Sequence, residues 1–191
     1  MIKVAIFASG NGSNAEQLVK YFKDSSVILI NSIFSNKKNA YVVERAKQLG
    51  VPAFVFNRED FYESGKVLQQ LKDREIDYIV LAGFLWLIPP NIVSFYSGRI
   101  INIHPALLPK YGGKGMYGNN VHEAVLRNND KESGITIHIV DEKYDNGNII
   151  YQASCPVNPD DTPEMLARKV HQLEYEYFPR VVEKYILQKD N

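Results

Sequence analysis

Residues 102–105 read Asn-Ile-His-Pro. On an extended strand Asn102 and His104 point to one side, while Ile101 and Ile103 point to the other. An amide and an imidazole that emerge together at a strand end can bind a developing oxyanion and deliver a proton to it. The plainer alternative is that both side chains satisfy buried backbone groups in the loop that follows, and the pairing leaves the two readings close to even. Upstream, Gly10-Asn11-Gly12-Ser13-Asn14-Ala15 satisfies G-x-G-x-x-A. Such a turn offers backbone amides and a helix N-terminus to an anion. A dinucleotide would also want an acidic residue closing the second strand, yet residues 35–38 read Ser-Asn-Lys-Lys. Lys37 and Lys38 can take a 2′-phosphate, so an NADP-binding reductase stays open as the weaker alternative. Side-chain donors at Ser13 and Asn14 favour a monophosphate over a bridging pyrophosphate.

Two carboxylates complete the candidates. Asp145-Asn146-Gly147 has the residue types of a hairpin turn. It also supplies a carboxylate that, next to His104, would raise the imidazole pKa and keep it charged at neutral pH. Glu174 lies beside a helix face of Leu166, Val170, Leu173, Tyr177 and Val181. A carboxylate there needs a partner or a ligand, unless it reaches water, Arg168 or Arg180 past the rim. His104, His122, His138 and His171 show no HxxxH or HxH spacing, so no metal site is expected. Neither a nucleophile elbow nor a Ser-His-Asp spacing is present.

The elements that must carry these residues follow from periodicity. Apolar strands at 3–9, 27–35, 51–56 and 78–83 alternate with helical spacing. The first helix places Ala15, Leu18, Val19 and Phe22 on one face. The second is capped by Asn39, has its apolar positions at Val42, Val43, Ala46 and Leu49, and stops before Gly50. The third runs through Phe61, Val67, Leu68 and Leu71. Continuous apolar strands between amphipathic helices predict a parallel sheet covered on both faces. Beyond them come a strand at 99–104, a Pro- and Gly-rich loop at 105–120 and a helix at 121–127. Strands at 134–140 and 149–157 have a link too short for a crossover, which predicts an antiparallel pair. Thr162-Pro163 opens a long C-terminal helix. The expected fold is α/β: a single doubly wound, mostly parallel sheet with an antiparallel C-terminal strand pair. Ligands of such sheets bind beyond the carboxyl ends of the strands.

A chain of 191 residues argues for one domain. Its 22 basic and 22 acidic residues cancel, which argues against nucleic acid or an anionic membrane as partner. The longest apolar run, 78–88, ends at Pro89-Pro90, short of the roughly 20 residues of a membrane span. The N-terminus has no signal-peptide layout. A single cysteine, Cys155, rules out an internal disulfide and fits a reducing compartment. The expectation is a cytoplasmic globule, monomer or weak homodimer.

GNGSN at 10–14, LAGF at 81–84, INIHPALLPKY at 101–111 and the Asp145 turn resemble the phosphoribosylglycinamide formyltransferase family, in order and spacing and over essentially the whole chain. The resemblance implies one Rossmann-like formyltransferase domain over 1–191, with a phosphate-binding βα half at 1–98 and a folate and catalytic half at 99–191. It implies transfer of a formyl group from the co-substrate 10-formyltetrahydrofolate to the amine of glycinamide ribonucleotide, in purine (IMP) biosynthesis. Attack is direct, through a tetrahedral intermediate, and needs no metal. By position, Asn102, His104 and Asp145 are the catalytic set, and Gly12, Ser13 and Asn14 hold the substrate phosphate. Glu174 contacts the substrate amine, and Leu85, Trp86, Leu87 and Ile88 hold the folate together with Asn102.

Three departures stand out. Trp86 and Ser64 occupy positions where the family carries folate-contacting arginines, with Arg58 and Lys66 nearby. His171 stands where relatives have Gln or Lys, and the loop at 112–118 is longer than in the shorter members. The NIHPxLLP segment is shared with methionyl-tRNA formyltransferase and formyltetrahydrofolate deformylase. Each of these normally carries an extra domain for which 191 residues have no room. Hydrolysis of formyltetrahydrofolate is the first alternative, the reductase a lesser one, and a sugar-phosphate sensor without turnover a third.

Overall fold

The computed structural model describes residues 1–189. They form two compact units, 1–102 and 103–189. The first begins with β1 (Ile2–Phe7), α1 (Ser13–Phe22), β2 (Ile28–Ser35), α2 (Tyr41–Gln48) and β3 (Ala53–Val55). It continues with α3 (Arg58–Tyr62), α4 (Lys66–Asp73), β4 (Tyr78–Leu81), α5 (Pro90–Phe95) and β5 (Ile100–His104), whose last two residues open the second unit. These strands are parallel, in the order β3-β2-β1-β4-β5. Strand order reverses at β1, the mark of a doubly wound sheet. Val4, Ala5, Ile6 and Phe7 of β1 are all buried, as a central strand covered on both faces requires. Ala15, Leu18 and Phe22 of α1 and Val67 and Leu71 of α4 are buried, and α1 packs on β2.

The second unit holds α6 (Asn119–Arg127), β6 (Glu132–Ile139), β7 (Ile149–Pro156) and α7 (Pro163–Lys189). β6 and β7 pair antiparallel, as expected. A side chain at Gly134 would collide with the Ala153 carbonyl across this pair. α7 packs on α6, β6 and β7.

Four local expectations need correction. Ala40, not Asn39, caps α2, and it does so without a side-chain bond. The helix expected through Phe61 and Leu71 is two helices, separated by Gly65 at φ 70°, with an Asn57/Asp60 capping box opening the first. Pro89-Pro90 opens a helix, α5, that the apolar pattern did not reveal; proline is tolerated in a first turn. The inward stripe of α7 is Leu166, Val170, Glu174, Phe178, Val182 and Ile186, while Leu173, Tyr177 and Val181 are half-buried. A long helix that follows its i+4 ridge keeps that row against its neighbours. Glu174 is therefore in the buried row, not beside it.

Candidate active site

The turn after β1 is held by α2. Gly12 caps α1 in the left-handed region at φ 77°, and a Cβ there would run into Val42. Val42 N–H donates to the Gly10 carbonyl at 3.1 Å. Arg45 donates to the Asn11 carbonyl at 2.9 Å and to Asn11 Oδ1 at 2.8 Å, and it pairs with Glu16. Ser13 is the first residue of α1 and Asn14 the second, so both lie in the first turn, whose amides have no intrahelical partner. Arg45 is a support that motif spacing could not reveal, because it comes from the next helix.

Residues 85–88 leave β4 through a fixed backbone. Leu85 N–H donates to Ser9 Oγ at 3.0 Å, and Ser9 in turn donates to Asn36 Oδ1 at 2.7 Å. Tyr62 Oη–H donates to the Leu87 carbonyl at 2.9 Å. Ile88 is buried; Leu85, Trp86 and Leu87 are half-buried. Trp86 packs against Phe56, Phe61, Tyr62 and Phe84, and the Arg58 guanidinium lies 5.2 Å from its ring centre. Asn36, Lys38, Arg58 and Trp86 line a cavity of about 480 Å³ in this unit. Asn102 is half-buried on β5 opposite Leu81 of β4.

His104, two residues on, is 4% exposed. Its Nε2 lies 2.7 Å from the Tyr111 carbonyl. A carbonyl only accepts, so Nε2 carries the hydrogen and Nδ1 is the nitrogen left to change its proton. That Nδ1 faces Asp145 Oδ1 at 3.5 Å. The two side chains expected to approach each other do lie together. The direction expected for the imidazole pKa is wrong, however. Burial lowers it, and this outweighs Asp145 and the Tyr111 carbonyl, so His104 rests neutral at neutral pH.

Asp145 adopts φ 51° in the turn between β6 and β7. Asp141 builds that turn by accepting from Lys143 N–H and Asn146 Nδ2 at 2.8 Å each. Any side chain at Gly147 would strike the Ile139 carbonyl. Turn and carboxylate are thus one device, not alternatives. Burial works against the Asp145 anion, but the His138 hydrogen bond, the His104 ring and Gly113 N–H together hold its pKa below the ordinary value. Gly113 donates to Oδ2 at 2.9 Å, which gives the loop at 112–118 a structural task. His138 Nε2 is 3.7 Å from Asp145 Oδ1, with Nδ1 on the Ile139 carbonyl at 2.9 Å. Sequence reading passed over His138; its alternation with Thr136 on an inward strand face was the available signal.

Glu174 is 4% exposed. It pairs with His171 Nδ1 at 2.8 Å. Its charge also acts on His104 and His122. Within the second unit, His104, Asp145, His138 and Glu174 are thus electrostatically linked.

Residues 2–182 match the model of the formyl transferase family. The chain belongs to the formyl transferase family. A Bacillus subtilis member named phosphoribosylglycinamide formyltransferase is 36% identical, across 96% of this chain and 94% of that protein. An Arabidopsis thaliana chloroplastic protein of the same name is 40% identical over 94% of this chain, which spans only 64% of that longer relative. The solved phosphoribosylglycinamide formyltransferase from Bacillus halodurans superposes with a TM-score of 0.87 at 37% identity, over 99% of this chain and 97% of that one. Such likeness fixes the fold as that of the formyl transferases. It leaves the dinucleotide reading of the Gly10–Ala15 turn without support.

Proposed function

We propose that this chain transfers a formyl group from 10-formyltetrahydrofolate to the amine of glycinamide ribonucleotide, a step of purine biosynthesis carried out in the cytoplasm. The observation that carries this reading is the couple of buried His104 and half-buried Asp145, 3.5 Å apart, within a formyl transferase chain. Gly12, Ser13 and Asn14 take the substrate phosphate, and residues 85–88 with Asn102 hold the pterin. Glu174 faces the substrate amine.

The amine nitrogen attacks the formyl carbon, a C–N bond forms and the carbonyl oxygen becomes an oxyanion that Asn102 stabilises. Because burial leaves His104 neutral at rest, the imidazole accepts the proton released by the attacking nitrogen. It then passes that proton to the leaving folate nitrogen as the second C–N bond breaks. Asp145 stabilises the imidazolium that exists between those two events. No covalent enzyme intermediate is required, since the amine is itself the nucleophile.

The test follows folate absorbance with the formyl donor, in the presence and absence of glycinamide ribonucleotide. Turnover is expected only with both. Formate release at an equal rate without the amine would make the chain a deformylase instead.

A further inference from the structure

A neutral imidazole carries one N–H, yet His104 faces two acceptors. Its Nε2 lies 2.7 Å from the Tyr111 carbonyl, and its Nδ1 lies 3.5 Å from Asp145 Oδ1. Whichever acceptor holds the hydrogen decides which nitrogen keeps a lone pair. The shorter contact wins, so the lone pair sits on Nδ1. Without that carbonyl, the Asp145 anion would draw the hydrogen to Nδ1, because a carboxylate only accepts.

The carbonyl itself is held under strain. Tyr111 stands at φ 57°, in the left-handed region that a Cβ disfavours. Asn129 is also left-handed, at φ 52°, but asparagine is a type that tolerates it. Packing does not hold Tyr111 there. The residue is half-buried and, with Leu107, Pro109, Val125 and Ser133, lines a cavity of about 480 Å³.

What holds it is its hydroxyl. Tyr111 Oη–H donates to Asp130 Oδ2 at 2.9 Å, and Oη accepts from Asn128 Nδ2 at 2.9 Å. Both partners come from the turn that ends α6, where Asn129 and Asp130 N–H donate to the Leu126 and Val125 carbonyls. Lys110 Nζ, 3.2 Å from Asp130 Oδ2, adds a second tie between loop and turn. Burial, opposed by the Asn128 bond and aided by Asp130, raises the phenol pKa, so the hydroxyl keeps the hydrogen it donates. Two residues on, Gly113 N–H donates to Asp145 Oδ2. One short stretch of chain therefore meets both members of the couple.

We propose that Tyr111 is a positioning residue that sets the tautomer of His104. Its clasped hydroxyl keeps a strained backbone in place, and that backbone keeps its carbonyl on Nε2–H. Nδ1 is thereby left with the lone pair that takes the amine's proton. This last step rests on the functional reading above, while the first two stand on geometry alone. Tyr111 acts only through His104.

The experiment records the nitrogen resonances of the His104 ring by NMR, alongside steady-state formyl transfer. The proteins are the unaltered chain, Y111F, Y111G and N128A/D130A. A ring nitrogen with a hydrogen and one with a lone pair resonate far apart, so the tautomer is read directly. In the unaltered protein at neutral pH the hydrogen is expected on Nε2. Y111F loses both hydroxyl bonds and keeps the left-handed penalty, so its backbone relaxes and the hydrogen moves to Nδ1. Its kcat is expected to fall about ten- to hundredfold, with KM for both substrates within about threefold. N128A/D130A, which leaves residue 111 untouched, should do the same. Y111G reverses the usual order of conservative substitution. Glycine occupies a φ of 57° at no steric cost. The carbonyl then stays, Nε2 keeps its hydrogen, and kcat remains within about threefold of the unaltered value.

A loss in Y111G equal to or greater than that in Y111F would make the ring a packing residue and overturn the proposal. So would an Nε2–H tautomer that persists in Y111F or N128A/D130A, or an Nδ1–H tautomer in the unaltered protein. A hydrogen that moves without loss of kcat overturns it as well. Absence of transfer by the unaltered protein would overturn the functional reading and the proton step with it, while the ring resonances still decide the tautomer.

Discussion

Replacing Asp145 by asparagine removes a charge while keeping shape. An asparagine oxygen still accepts from Gly113 N–H, and the turn that Asp141 and Gly147 define is untouched. What disappears is attraction between Asp145 and a protonated His104, 3.5 Å away. At an effective dielectric of about 20 that attraction is about 5 kcal/mol, and breaking buried charged pairs typically costs about 3–5 kcal/mol. The Tyr111 carbonyl and Glu174 remain to support the imidazolium, so the lower part of the range applies. Each 1.36 kcal/mol is tenfold, which places the expected loss in kcat at about 10²–10³. Because His104 is neutral at rest, the interaction exists only once the ring has taken a proton. KM for both substrates should therefore stay within about twofold, the pattern of an interaction made only in the transition state. The assay is steady-state formyl transfer by D145N across the neutral pH range. A variant within about threefold of the unaltered kcat, or one whose loss appears in KM, would refute the assignment of Asp145 as partner of a transient imidazolium.

Three other perturbations have defined outcomes. His122, with a folded pKa near 4 against 6.5 when unfolded, binds its proton more weakly folded; stability is present above pH about 6.5 and lost as pH falls toward 4, by about 3 kcal/mol in all. Urea midpoints of H122F should be less acid-sensitive than those of the unaltered protein, and equal sensitivity would contradict this. In G12A the Cβ meets Val42 at a φ of 77°, costing about 1–3 kcal/mol of stability. KM for glycinamide ribonucleotide should rise more than KM for the folate, and a proportional rise in both would refute the phosphate role. In W86A the lost packing against Phe56, Phe61, Tyr62 and Phe84 should cost about 2–3 kcal/mol, below the range for full burial, and a denaturation midpoint shifted by less would mean the ring is not a packing residue.

The fold was legible wherever burial imposes a local pattern. β1 and β4 are continuous apolar runs because both faces are covered, and the short link between β6 and β7 allows only an antiparallel return. Boundaries failed where a single residue decides them. Gly65 at φ 70° splits one helical period into α3 and α4, and periodicity does not see dihedral angles. The Glu174 row on α7 was misplaced by one ridge because i+3 and i+4 neighbours are equally apolar there. At the site, Asn102, His104 and Gly12 announce themselves by residue type and place in the chain. Arg45, Gly113 and His138 do not. Each acts on a residue at least seven positions distant, and only His138, alternating with Thr136 along β6, carries a local signal. The pKa of His104 was misjudged for a related reason: the Asp145 partner could be imagined from sequence, but the depth of burial that outweighs it could not.

The aromatic packing around residues 85–88 has an optical consequence. Trp86 is the only tryptophan in the chain, and it stands in the proposed pterin segment, ringed by phenylalanines with the Arg58 cation close to its face. Indole emission from this molecule therefore originates at one place. Its intensity and wavelength follow whatever displaces Arg58, excludes water or stacks nearby, so a folate binding as proposed is expected to register in native fluorescence, with no label and no turnover.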